Sequence, residues 1–147
     1  MGFDAVMKIA LLASIFCLAV NSAIAAVCEN STGADLLLFE EAKTAFLASD
    51  YEQFAVVAGP YFPDLQKDPD SLFGALKNAL PGGFDRCVTV LQRRETPGFH
   101  QDLVLYFPRG FEAPIALLLI AVVVDGEPQM IEFNYNTNVS GVLEELK

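Results

Sequence analysis

Positive charge is scarce in this chain: nine Lys and Arg stand against 19 Asp and Glu, a net charge of −10 at pH 7. A nucleic-acid-binding face must neutralise phosphates with clustered cations. The nearest approach to a cluster is the pair Arg93 and Arg94, with Arg86 and Arg109 close in sequence, and these read as solvated strand edges. The same excess of acid opposes docking on anionic lipid headgroups. Histidine occurs once, as His100, and cysteine three times. So few imidazoles and thiols do not assemble a four-ligand zinc site. No Cys-x-x-Cys pair offers redox chemistry, and no Ser or Cys sits in an elbow motif that would form a triad with His100. Neither a metal nor a cofactor is called for.

What the chain has instead is apolar bulk. Apolar residues make up 53% and charged ones 19%, a balance that excludes a disordered chain and a highly charged coiled coil. Part of the bulk is concentrated at the start. Residues 9 to 20 form an apolar block behind Lys8, and Ala23, Ile24 and Ala25 supply the small-x-small pattern of a signal-peptidase site. The expectation is a signal peptide over 1–25 and one α+β domain over 26–147, exported to the periplasm or secreted. Two alternatives attach to the leader: translation from Met7, and a retained anchor, although a spanning helix wants ~20 apolar residues in a row. Removing Asp4 and Lys8 with the leader leaves 18 acidic against 8 basic residues.

Export changes what the cysteines mean. Cys17 falls in the leader, which leaves Cys28 and Cys87 as an even pair in a compartment that permits oxidation, so a disulfide is expected.

Along 26–147 the hydrophobic period is first 3.6 and then 2. Thr32 to Asp35 has the spacing of a capping box and opens a helix over 34–48. Leu38, Phe39, Ala42, Ala45 and Phe46 form its buried stripe, with Glu40, Glu41, Lys43 and Thr44 assigned to water. Asp50 caps a second helix, 51–58, ended by Gly59 and Pro60. Asp68 as N-cap and Pro69 at the first helical position start a third, 69–80, with Leu72, Phe73, Leu76, Ala79 and Leu80 on its apolar side. Four strands follow, at 86–95, 100–108, 113–124 and 129–135. Pro97 and Gly98 suit a type II turn, and Asp125 and Gly126 join the last two strands. Connections this short allow only an antiparallel meander. Residues 114–124 lack alternation and read as a strand covered on both faces or lying in a dimer interface. In the fourth strand Ile131, Phe133 and Tyr135 point one way, and Met130, Glu132 and Asn134 the other. A short helix, 139–146, ends the chain.

Helices followed by a curved four-stranded antiparallel sheet and a short C-terminal helix make an α+β order that resembles the NTF2-like (cystatin-like) superfamily. Two stretches carry the likeness: Ala45 to Phe54, similar to the break between that group's first two helices, and Asp125-Gly126 with Ile131 to Thr137 and a terminal helix, similar to small exported members of unassigned activity. The resemblance implies a cone around an apolar cavity. Some NTF2-like enzymes pair a carboxylate base with a tyrosine-type donor. Asp102 and Tyr106 are the nearest such pair, on one face of a strand but about 13 Å apart at ~3.3 Å per residue. The default for them is a solvent-facing Asp and an edge Tyr.

Three readings of function follow. The favoured one is an exported non-enzymatic module that binds a small apolar ligand or a protein partner, with Tyr51, Phe54, Phe62, Phe84 and Tyr106 as the rings that would line the site. The second is an isomerase or lyase with Asp102 as base. The third is a structural homodimer without ligand. None involves nucleic acid, or a membrane once the leader is removed.

Overall fold

The computed structural model of the chain describes residues 26–31, 36–144 and 146. The expected leader over 1–25 and the expected capping box at Thr32 to Asp35 lie outside the described residues. The first helix, α1, is Leu37–Leu47, and α2 is Tyr51–Ala58. Between them Ser49 turns the chain with a φ of 56°. Asp50 then caps α2, its Oδ1 accepting the Gln53 N–H at 3.0 Å. Pro63 opens a short helix that the periodicity did not announce, α3, Pro63–Lys67. The next, α4, is Asp70–Ala79. Here the Asp68 carboxylate is not the cap; its backbone carbonyl accepts from Ser71 N and Oγ at 3.2 and 2.7 Å. Three of the five residues of the stripe expected there are buried: Phe73, Leu76 and Leu80 point inward, whereas Leu72 and Ala79 are exposed.

The strands are β1, Phe84–Glu95; β2, Phe99–Pro108; β3, Ile115–Val124; and β4, Glu127–Asn136. They pair antiparallel in the order β1-β2-β3-β4, the expected meander. Asp125 and Gly126 both take positive φ, 51° and 84°, as a two-residue hairpin twisting with its strands requires. The turn at Pro97 is not type II: the Thr96–Pro97 bond is cis and Gly98 has φ 157°, far from the +80° of that turn. Glycine is needed there for proximity. The Gly98 carbonyl accepts from Val123 N at 2.9 Å, and a Cβ on Gly98 would lie 2.7 Å from the Val123 side chain.

The register slips once between β3 and β4, where Ile120 faces Glu132 and Ala121 faces Met130. Ile131 is therefore an extra residue, and a bulge reverses the alternation on either side of it. The expected facing of β4 holds for Phe133 and Tyr135 but not beyond: Met130 is buried with them and Ile131 is 40% exposed.

The helical layer α1, α2 and α4 covers one face of the sheet. Leu117, Leu119 and Ala121 of β3 look into it, while Ala116 and Leu118 look the other way and are covered with Leu103 by Val142 of the C-terminal helix α5, Val139–Glu144. Burial on both faces is why β3 carries no polar alternation.

The N-terminal segment is tied to β1. Cys28 and Cys87 are disulfide-bonded across 59 positions, and Glu29 bridges Val88, with Glu29 N donating to Cys87 O and Thr89 N to Glu29 O. A loop of this length predicts that Cys28→Ser with Cys87→Ser lowers unfolding free energy by about 4 kcal/mol, chiefly by freeing the unfolded chain. Urea titration of the oxidised and doubly substituted proteins checks this; an unchanged midpoint would contradict it.

Candidate functional site

Two features stand apart from ordinary packing: a buried cluster of charge and an open apolar cavity. The charge lies between α1 and β2. Lys43 and Asp102 are fully buried and meet at 2.7 Å, Lys43 Nζ to Asp102 Oδ2. Lys43 also reaches Glu40 Oε1 at 2.7 Å, and Arg94 Nη1 reaches Asp102 Oδ1 at 2.6 Å. The Gln92 amide donates to Asp102 Oδ2 at 3.5 Å, and Glu40 Oε2 accepts the Val27 N–H at 2.9 Å. Two acids and two bases thus compensate one another and anchor the N-terminal segment. This corrects the expectation that Glu40 and Lys43 face water and that Asp102 is solvent-facing. Charged side chains go to solvent by default because desolvating one costs several kcal/mol unless it is paired; here pairing supplies the exception. The Tyr106 hydroxyl, also buried rather than at an edge, donates to Lys43 O at 3.2 Å. Burial pushes its pKa well above the usual tyrosine value, and the Glu40 and Asp102 carboxylates add to the shift.

Both Asp102 oxygens are therefore engaged, and no solvent reaches them. A general base must present a free lone pair to substrate. Asp102 instead holds two cations in place.

His100 stands at the start of β2. Its pKa is lowered from 6.5 by burial first and by the Arg94 charge second, with Asp102 opposing. A histidine that binds its proton less readily when folded contributes nothing above pH ~6.5, and stability declines as pH falls below that value toward the folded pKa. Proton NMR of the single imidazole is expected to give a midpoint below 6.5, and His100→Gln to flatten the acid side of the stability profile; a midpoint at or above 6.5 would contradict the assignment.

The five rings expected to line a site occupy one connected cluster. Phe46 lies at its centre, with centroids 5.7 Å from Tyr51, 5.9 Å from Phe54, 5.4 Å from Phe84 and 4.7 Å from Tyr106. Tyr51, Phe54, Phe84 and Tyr106 are buried there, between helices and sheet. Phe62 is half-buried; its ring meets Phe133 at 5.0 Å, and the two help line a surface cleft of about 430 Å³ with Tyr61, Leu65 and Leu72.

A larger cavity, of about 580 Å³, lies at the end of the sheet, where the C-terminal turn of α4 meets the β2–β3 loop. Leu76, Ala79 and Leu80 form one wall, and Pro108, Phe111, Pro114 and Ile115 the other. The loop is tied to β1 and the turn before it: Arg109 N donates to Gly83 O at 3.0 Å, and the Arg109 guanidinium pairs with Asp85 at 3.0 Å. Gly110, with φ 78°, lets the chain reverse, and Phe111 beside it lines the cavity while 57% exposed. The sequence reading missed this cavity. Its signal was a turn bracketed by Pro108 and Pro114 that carries an aromatic residue.

Among the described residues no group of His, Cys, Asp and Glu converges as a metal site, and no helix is long and apolar enough to cross a membrane. No protein-family model, curated protein or solved structure matches the chain.

Proposed function

We propose that the protein is an exported, non-enzymatic binding module that takes a small apolar ligand in the cavity between α4 and the β2–β3 loop. The observation that carries the reading is the cavity itself. Small-molecule sites are concave, mostly apolar and about 300–1,000 Å³ in volume, and this one falls in that range with walls of Leu, Ile, Pro, Ala and Phe. Export is supported by the Cys28–Cys87 disulfide, since such bonds persist where thiols are not kept reduced. Membership of the NTF2-like superfamily is part of the same proposal, supported by the order of helices before an antiparallel meander. The carboxylate-base alternative draws no support from Asp102, whose oxygens are bound to Lys43 and Arg94.

The test is saturable binding of Nile red, an uncharged apolar dye, followed by fluorescence. Ala113 lines the cavity and is exposed, so Ala113→Trp fills the space without disturbing the core. The expected outcome is one-to-one binding by the parent and loss of at least tenfold in affinity in the variant at unchanged thermal midpoint. No binding, or equal binding by the two proteins, would overturn the reading.

A further inference from the structure

The charge around the cavity restricts what it can take, and this inference rests on the ligand-binding reading above. Among the described residues that line the cavity, Glu112 is the only ionisable one. It adjoins Phe111, which also lines the cavity and is exposed. The nearest cation along the loop, Arg109, directs its Nε to Asp85 and to the Phe84 carbonyl. Glu112 makes no ion pair among the described residues, and the chain as a whole carries −10.

We infer that the cavity's ligand is an apolar organic cation, a hydrocarbon body seated between α4 and the β2–β3 loop with an ammonium group at the Phe111 and Glu112 rim. Each part of such a molecule meets a matching surface. The body displaces water from Leu76, Leu80, Pro108 and Ile115. An ammonium at the rim stays partly hydrated, faces the Glu112 carboxylate and lies against the negative π face of Phe111. An apolar anion of the same size meets the opposite field: its headgroup would sit beside the Glu112 carboxylate on a chain that carries −10. Fatty-acid-like carboxylates are therefore selected against, although their tails would fit equally well.

Displacement of Nile red by three molecules with one tail and different heads separates the parts of this inference. Decyltrimethylammonium, decanol and decyl sulfate, each below its micelle concentration, are to be compared at low and high salt. The cation is expected to bind at least about fivefold more tightly than the sulfate, as one exposed charge contact with one cation–π contact predicts. That preference should shrink as the Debye length falls from ~10 Å at 0.1 M salt to ~3 Å at 1 M. Glu112→Gln should level cation and anion, while Glu127→Gln, which changes an acid at the start of β4 at the opposite end of the sheet, should leave the preference intact. Equal affinities for the three heads, or tighter binding of the sulfate, would overturn the charge assignment and leave the apolar cavity standing. Equal effects of the two Gln variants would assign the preference to the field of the whole protein and overturn the rim site. Failure of all three to displace the dye would instead count against the ligand-binding reading itself.

Discussion

Replacing Asp102 by Ala is expected to destabilise the fold by ~3–5 kcal/mol, because it removes the buried carboxylate that balances the Lys43 ammonium and leaves excess positive charge in the interior. Lys43 has no route to water: its side chain is 0% exposed and its remaining carboxylate is Glu40. Arg94 suffers less, with 18% of its side chain exposed and its guanidinium 5.4 Å from the Phe39 ring. The asymmetry between removing a partner and removing the pair gives a second outcome. Lys43→Met with Asp102→Leu should cost less than Asp102→Ala alone, since apolar residues of similar volume carry no desolvation penalty. Urea denaturation with matched m-values measures both. A loss below ~1 kcal/mol for Asp102→Ala would have the magnitude of a surface ion pair and would contradict the buried cluster.

Phe46→Ala should approach the same size, at the upper end of the ~3–5 kcal/mol typical of such truncations. The Phe46 ring is fully buried and stands within 6.2 Å, centroid to centroid, of Tyr51, Phe54, Phe73, Phe84, Tyr106 and Tyr135. Those rings come from α2, α4, β1, β2 and β4, so they hold one another apart and cannot collapse into the gap. Edge-to-face and offset contacts add about 0.5–1.5 kcal/mol per pair beyond area, which Ala forfeits. Phe46→Leu, which keeps much of the volume, should recover more than half of the loss in a thermal melt. Equal losses for Ala and Leu would show that the ring contacts, not the volume, dominate.

Why these two positions were unequally legible in the sequence is instructive. Phe46 fell on a 3.6-period stripe and was read as core. Lys43 lies on the same stripe, four residues after Phe39 and three before Phe46, but its charge alone predicts a place in solvent. Asp102 likewise shares a strand face with Val104 and Tyr106, both buried. The geometric signal was present in both cases; what the chain could not display was that the two faces oppose each other, which is a property of the packing of α1 on β2. The strands were legible for the converse reason. Alternation, the Asp125-Gly126 hairpin and short connections are local, and together they leave one sheet topology. The bulge at Ile131 was not legible, since a single extra residue changes no composition. Nor was the short helix at Pro63, which is too brief to show a period. The cavity was the least legible feature, because concavity arises where separate segments fail to fill space, here α4 and the β2–β3 loop.

Amide NMR of the labelled protein titrated with decyltrimethylammonium locates the bound ligand directly. The prediction is that shifts concentrate at 76–80, 108–115 and 137, around the cavity at the end of the sheet. Shifts centred instead on Tyr51, Phe54, Phe84 and Tyr106, or spread over the surface without saturation, would contradict it.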